Sequence, residues 1–454
     1  MRDARVWHAL LGVEKTVIED VEFDELDQVL VVRVRPARGA TRRCGVCRRR
    51  CARYDTGEGR RRWRALDLGT VQAVLEADAP RVSCREHGVV VAHVPWARHS
   101  AGHTCAFDDT VAWLATQTSK SAVVELMRIA WRTVGSIIAR VWADTETLHD
   151  RFAGLRRLGI DEISYKRGHR YLTMVIDHDS GRLVWAAPGR DMATLQTFFD
   201  RLGPERCALI THVSADAAEF IAKVVAKNCP SAVRCADPFH VVRWATDALD
   251  EVRRQAWNDA RRLARETEAK RGPGRPSADA PARPASARAR GLKGVRYVLW
   301  KNPENLTEKQ RVKLDWIART DPRLHRGYQL KEGLRLIFQM PIEQAREALD
   351  RWVSWARRCR IPAFVKLQKS IVAHTPSILA AVEHGLSNGR TESVNTKIRL
   401  ITRIAFGFKS PDALIAMAML SLGGHRPPCP TGNDPRKQQE SPKAGTLAPC
   451  WSCK

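Results

Sequence analysis

The chain has 454 residues, 44 % of them hydrophobic, and carries 76 Lys and Arg against 50 Asp and Glu, a formal net charge of +26. At roughly 100–200 residues per domain, that length implies two to four domains, each with an ordinary core. A charge of this size speaks about partners rather than fold, and nucleic acid is its natural counterpart. No run approaches the roughly 18–20 apolar residues that cross a bilayer, and Met1-Arg2-Asp3-Ala4-Arg5 lacks the apolar segment of a secretion signal. A cytoplasmic, nucleoid-associated protein with no membrane partner is therefore expected. The 12 cysteines are too dispersed for a small disulfide framework, so closely paired ones read as metal ligands.

Residues 1–100 read as a β-rich start followed by a metal site. Val21, Phe23, Leu30, Val32 and Val34 alternate with polar positions, as a half-buried strand requires. Cys44-Gly45-Val46-Cys47 is followed by Cys84-Arg85-Glu86-His87. Three thiolates and an imidazole in two short knuckles suit tetrahedral Zn2+, so Cys44, Cys47, Cys84 and His87 read as a zinc ribbon. Cys51 is a spare thiol nearby. The spacer carries Arg61, Arg62, Trp63 and Arg64. On a surface hairpin of the ribbon these suit phosphate contact; a solvated charge run is the alternative.

Residues 101–150 read as short helices. One helix holds Val111, Leu114 and Ala115, a second spans Ser121–Leu126, and a third begins at Trp131 after a turn. That layout is a helix-turn-helix whose last helix offers Arg132, Thr133 and Ser136 to a major groove. A plain helical hairpin between domains is the alternative.

Residues 151–257 alternate strands and helices. Strands are expected at Leu158–Ile163, Tyr171–Asp177, Gly181–Ala186, Ala208–Val213 and Ala232–Cys235, with helices at Met192–Leu202 and 217–226. Three hairpin-linked strands, then helix, strand, helix, strand, is the order of an α/β ribonuclease-H-like core. There the first and fourth strands are neighbours, so Asp161 and Asp216 converge. Converging carboxylates persist where a cation offsets their repulsion, and hard oxygen ligands select Mg2+ or Mn2+. Glu162 alternates to the opposite strand face and is left outside this site. Residues 258–385 read as a basic, Pro- and Gly-containing linker at 260–294 and then a helical insertion. Trp300, Trp316, Trp352 and Trp355 are expected to pack helices there. Residues 386–423 return to the core: Glu392 and Asn395 share a helical face, and Lys397 and Arg399 add positive charge. Residues 424–454 read as a disordered polar tail, and Cys450-Trp451-Ser452-Cys453 within it is assigned no zinc. Arg271-Gly272-Pro273-Gly274-Arg275-Pro276 reads as a solvated linker that can reach the DNA backbone.

The paired knuckles, Gly159-Ile160-Asp161-Glu162, Asp237-Pro238-Phe239-His240-Val241-Val242, Ala248 to Arg254 and Thr391-Glu392-Ser393-Val394-Asn395-Thr396-Lys397-Ile398 together resemble bacterial insertion-sequence transposases of the third ISL family. The resemblance runs from about residue 40 to about residue 423. It implies an Asp-Asp-Glu transposase whose catalytic core is interrupted by a helical insertion before the final Glu392. It also implies metal-dependent cleavage of double-stranded DNA at terminal inverted repeats and transfer into target DNA. Pairing two DNA ends calls for a homodimer or larger. The second catalytic Asp is Asp216 by strand order, with Asp237 as its rival. Asp237 and His240 form the D-x-x-H unit that accompanies the triad in related transposases. His240 then orients a scissile phosphate or holds Asp237; a core histidine is the alternative. The competing functions are a catalytically inactive, transposase-derived DNA-binding regulator and a structure-selective nuclease.

Overall fold

Alternating apolar and charged residues build a sheet at the amino-terminal end of the chain. In this computed structural model, residues 4–166, 168–216, 218–268 and 283–427 are described. They fall into two units, Met1–Arg151 with Leu400–Lys454, and Phe152–Arg399.

In the first unit a helix, α1 (Ala4–Leu11), precedes β1 (Thr16–Asp24) and β2 (Val29–Pro36). The remaining strands are β3 (Ala52–Asp55), β4 (Arg60–Arg64), β5 (Gln72–Asp78), β6 (Arg81–Cys84) and β7 (Gly88–Val91). They form two sheets, β1-β2-β5-β4 and β3-β6-β7. Strand β4 pairs with β5 as an antiparallel hairpin in the larger sheet, and the expected surface position of its aromatic residue is corrected. Its period of two turns Trp63 inward, 2 % exposed, edge-on to Trp96 with ring centroids 5.5 Å apart. Arg62 faces outward beside its cross-strand neighbour Glu76, at 2.9 Å.

Helices α2 (Cys105–Gln117), α3 (Lys120–Met127) and α4 (Trp131–Leu148) follow. Thr104 and Ser119 cap the first two through their side chains, and Arg128, with φ +54°, ends the second. Phe107, Val111, Val123, Val134 and Ile137 form the core of this bundle. Ala416, Met417 and Leu420 of the final helix, Pro411–Leu422, join it. That helix therefore packs with α2 and α4. Asp108, fully buried on α2, is held by Arg140 at 3.0 Å and Arg98 at 3.6 Å. Burial pushes its carboxyl up to about 6 against those two cations.

The second unit opens with β8 (Arg157–Lys166), β9 (Arg170–Asp177) and β10 (Leu183–Pro188), an antiparallel meander. Helices α5 (Met192–Leu202) and α6 (Pro204–Cys207) lead to β11 (His212–Ala215). Helix α7 (Glu219–Asn228) leads to β12 (Val233–Ala236). The fourth strand is shorter than expected because Pro204 starts a helical turn that Ile210 N closes on Cys207 O. The sheet order is β10-β9-β8-β11-β12, with β11 parallel to both of its neighbours.

Helix α8 (Pro238–Thr267) then runs on through the start of the expected flexible linker, and the chain resumes as helix at α9 (Pro284–Lys293). Residues 269–282, with the Arg271–Pro276 motif, lie outside the described residues, as does the tail from 428 with its two cysteines. Helices α10 (Arg296–Trp300), α11 (Glu308–Thr320), α12 (Pro322–Ile337), α13 (Ile342–Arg358), α14 (Pro362–Ala373) and α15 (Thr375–His384) complete a helical segment. Its core includes Leu249, Leu292, Leu330, Leu334, Trp352 and Phe364. Trp352 packs as expected and donates Nε1–H to Leu330 O at 2.7 Å, whereas Trp355 is exposed. Helix α16 (Gly389–Ile404) follows.

Candidate active site

Three aspartates stand at one level on three adjacent parallel strands. Ile160 of β8 pairs with Ala215 of β11, which pairs with Ala236 of β12. The next residue in each chain segment is Asp161, Asp216 and Asp237. Asp216 and Asp237 thus follow the carboxyl ends of β11 and β12, the usual binding edge of a parallel sheet, and Asp161 lies beside them within β8, at the first position past its pairing with β11. Asp216 and Asp237, alternatives in the sequence reading, are both present.

The donor atoms form two overlapping groups. One oxygen each from Asp161, Glu162 and Asp216 lies within 4.8 Å of the others, and so do donors from Asp216, Asp237 and His240. Glu162 is thus in the cluster, contrary to the alternation argument. Pairing between β8 and β11 stops at Ile160, two residues before it. Its carboxylate is all but buried, 3.6 Å from Arg190 Nε.

Charge and burial shape this crevice. Burial, and then the charge of Asp216, push the Asp161 carboxyl up to about 6. His240 Nδ1 lies 2.5 Å from Asp237 Oδ2 and 2.7 Å from Asp216 Oδ1. Burial opposes charge on this imidazole, but the two carboxylates outweigh it and hold its pKa up at about 10. Asp237 also caps α8, accepting from Phe239 N at 3.2 Å. Its two oxygens are thereby committed to the helix cap and to His240, which favours Asp216 as the oxygen donor with capacity to spare. Glu162 Oε1 and Asp216 Oδ1 are buried without an aligned hydrogen-bond donor. Four carboxylates against one imidazolium and Arg190 leave a local excess of negative charge. A hard divalent cation fits that donor set.

Glu392 stands on the exposed side of the first turn of α16 and is outside both groups. The buried face of that helix is Thr391, Val394, Asn395 and Ile398. Asn395, one turn on, reaches the cluster instead: its Nδ2 donates to Asp161 Oδ2 at 2.6 Å. Lys397 and Arg399 are exposed on the same helix.

A second set of buried polar residues supports the crevice from behind, and no sequence motif points to it. Ser214 Oγ donates to Asn388 Oδ1 at 2.7 Å, and His178 Nε2 is 2.6 Å from the same hydroxyl. Because Ser214 spends its proton on Asn388, it accepts from His178, whose Nε2 is therefore the protonated nitrogen. Arg390 donates to the carbonyl oxygens of His178 and Asp179. The one available signal is the polar Ser214 between Val213 and Ala215.

In the ribbon, Cys44, Cys47, Cys84 and His87 meet. Cys84 Sγ lies 3.6 Å from His87 Nδ1, Cys47 Sγ 3.7 Å from Cys84 Sγ, and Cys44 Sγ 3.9 Å from His87 Nδ1. Zn–S bonds of about 2.3 Å in a tetrahedron give edges of roughly 3.8 Å, so the donor set fits zinc. Hydrogen bonding from His87 leads the effects that lower the Cys84 thiol to about 6. On α4, Arg132 and Ser136 are exposed and Thr133 is half-buried. Arg61 donates to Ala101 O at 2.9 Å, and Arg64 is tied to Asp67.

A carboxylate cluster along adjacent parallel strands, a helix-turn-helix and a zinc ribbon in one chain define a DNA transposase. Residues 158–418 match the transposase model of the ISL3 family, 92–142 the helix-turn-helix domain of transposase family ISL3, and 40–87 the zinc-finger of transposase IS204/IS1001/IS1096/IS1165. The chain belongs to the ISL3 family of insertion-sequence transposases. It is 66 % identical over 435 residues to the transposase for insertion sequence element IS1557 of Mycobacterium tuberculosis, covering 95 % of this chain and 98 % of that one. It is 26 % identical over 418 residues to the transposase for IS1001 of Bordetella parapertussis, covering 91 % and 96 %. No helix among the described residues is long and apolar enough to cross a membrane.

Proposed function

We propose that this transposase is an Asp-Asp-Glu enzyme that cuts DNA at the terminal inverted repeats of its element and joins the freed end to target DNA. The observation that carries the reading is the row of Asp161, Asp216 and Asp237, each one residue past the paired Ile160, Ala215 and Ala236 of three adjacent strands. The sheet order β10-β9-β8-β11-β12 supports a ribonuclease-H-like core. Asp161 and Asp216 would hold Mg2+ or Mn2+, with Glu162 beside them. Such ions polarise a phosphoryl oxygen and acidify an attacking hydroxyl in an in-line displacement. Glu392, one turn from Asn395, is the third carboxylate of this reading. Its exposed position means it has to turn toward the crevice once cation and DNA are bound.

The protein's own groups divide the work. His240, charged between Asp216 and Asp237, fixes the Asp216 carboxylate and keeps Asp237 from competing for a cation. Exposed Lys397 and Arg399 meet the DNA backbone. In the ribbon, Cys44, Cys47, Cys84 and His87 would hold structural Zn2+. Arg132 and Ser136 on α4 read base edges in the terminal repeat, with Thr133 beside them, and Arg62 meets phosphate. Two DNA ends call for at least a homodimer on DNA.

The test is strand cleavage of a terminal-repeat duplex in Mg2+. Asp161→Asn is expected to lower cleavage at least 100-fold while repeat binding stays within twofold, since the substitution removes a cation ligand and leaves α4 untouched. Wild-type cleavage by this variant would sink the assignment. Binding without cleavage by the wild-type chain would favour a regulator, and cleavage without joined product would favour a nuclease.

A further inference from the structure

Two buried asparagines flank Glu392 and tie its helix to the carboxylate cluster. Asn395 is only 6 % exposed. Its Nδ2–H is the donor to one oxygen of Asp161, while the other accepts from Glu162 N at 2.7 Å. Each oxygen of Asp161 is thus held by one donor, one from its own strand and one from α16. On the other side of Glu392, Asn388 is 1 % exposed. Its side chain takes the Ser214 hydroxyl, and its backbone N–H points at Asp237 Oδ1, 3.4 Å away. Between them Thr391, fully buried, lies over Gly159.

These are poor choices for mere packing. Asn395 Oδ1, Asn388 Nδ2 and Thr391 Oγ1 are all buried without a hydrogen-bond partner. Aliphatic residues of similar size would fill the same face without leaving polar atoms unpaired. What the amides add is direction. Asn395 fixes the rotation of the Asp161 carboxylate, and Asn388 fixes where α16 begins relative to β11.

We propose that Asn395 is the positioning residue of this site. It orients Asp161 to receive the divalent cation and, together with Asn388 on Ser214, sets the register of α16 from which Glu392 turns toward the same crevice. The proposal rests on the reading of Asp161 as a cation ligand. Asn395 itself acts through Asp161 and not on DNA.

The experiment uses the zinc-loaded full chain and follows repeat cleavage and the Mn2+-induced rise in melting temperature together. Asn395→Ala is expected to raise the Mn2+ concentration for half-maximal cleavage, and for half-maximal thermal shift, by about 10–100-fold, the range for loss of a residue that orients a metal ligand. Repeat binding should not change. Asn395→Asp keeps the shape but sets a carboxylate oxygen against Asp161. Its metal-free melting temperature should fall, and its Mn2+-induced rise should exceed that of the wild type. An Asn395→Ala chain with wild-type Mn2+ dependence, even if less stable, would overturn the proposal, since a purely structural amide changes stability alone. So would an Asn395→Asp chain with a wild-type Mn2+ response. Asp161→Asn in parallel separates the two claims. If it cleaves, the cation-ligand reading falls; if it is dead while Asn395→Ala responds normally to Mn2+, only this inference falls.

Discussion

At the scale of single residues, His178 is the clearest case of a buried group with a measurable signature. Burial first, and then the nearby Arg390 charge, hold its pKa down at about 4 from an ordinary 6.5. A depressed pKa in the folded state contributes stability above the unfolded value and loses it as pH falls through the folded one. The window is therefore about pH 6.5 down to 4, and the full difference is about 3 kcal/mol at 1.36 kcal/mol per pH unit. His178→Gln keeps a donor for Ser214 and removes the titration. Urea unfolding between pH 7 and pH 4 is expected to show a shallower acid loss in this variant than in the wild type. Parallel acid limbs would mean that His178 is charged or exposed in the fold. The sequence shows only a turn here, because a histidine's neighbours across a sheet leave no local pattern. It also puts Trp63 on the surface, since an aromatic among arginines looks solvated until β4 is paired with β5. Asp161 is legible because a carboxylate that interrupts an apolar strand is costly to bury and needs a partner to offset that cost.

At the scale of elements, the decisive contact is α16 against β8. A Cβ on Gly159 would lie 2.7 Å from Ile176 Cγ1, 2.8 Å from Thr391 Oγ1 and 2.9 Å from His178 Nε2. Only a glycine lets the Glu392 helix approach this strand so closely. Gly159→Ala should push the helix off the sheet, at a cost of about 1–3 kcal/mol for an overpacked site. A lowered urea midpoint together with impaired cleavage but normal repeat binding is the expected outcome; an unchanged midpoint and rate would show that the contact is loose. The meander, α5 and the helix-turn-helix were legible from periodicity and turns, because their signals are local. The short fourth strand was not: Ala208–Ile210 is apolar either way, and Pro204 decides for helix. Nor was the position of Glu392 legible. Its three-residue spacing to Asn395 showed a shared side of the helix but not which member of the pair faces the sheet.

At the scale of the whole molecule, two units carry separable tasks. The first holds the ribbon and the helix-turn-helix, and the second holds the carboxylate cluster and the helices from α8 to α15. The net charge of +26 suits a DNA partner but says nothing about which surface meets it. Family membership was legible in the motifs, whereas the pairing of the final helix with α2 and α4 depends on apolar side chains far apart in sequence. The central claim is that Asp216, at the end of β11, is a ligand of the catalytic cation. It is tested most directly by Asp216→Cys, because a thiolate accepts Mn2+ more readily than Mg2+. The expected result is repeat cleavage in Mn2+ at least tenfold above that in Mg2+, with no such preference in the wild type or in Asp237→Cys. Full Mg2+ activity in Asp216→Cys, or the Mn2+ preference appearing in Asp237→Cys instead, would contradict it.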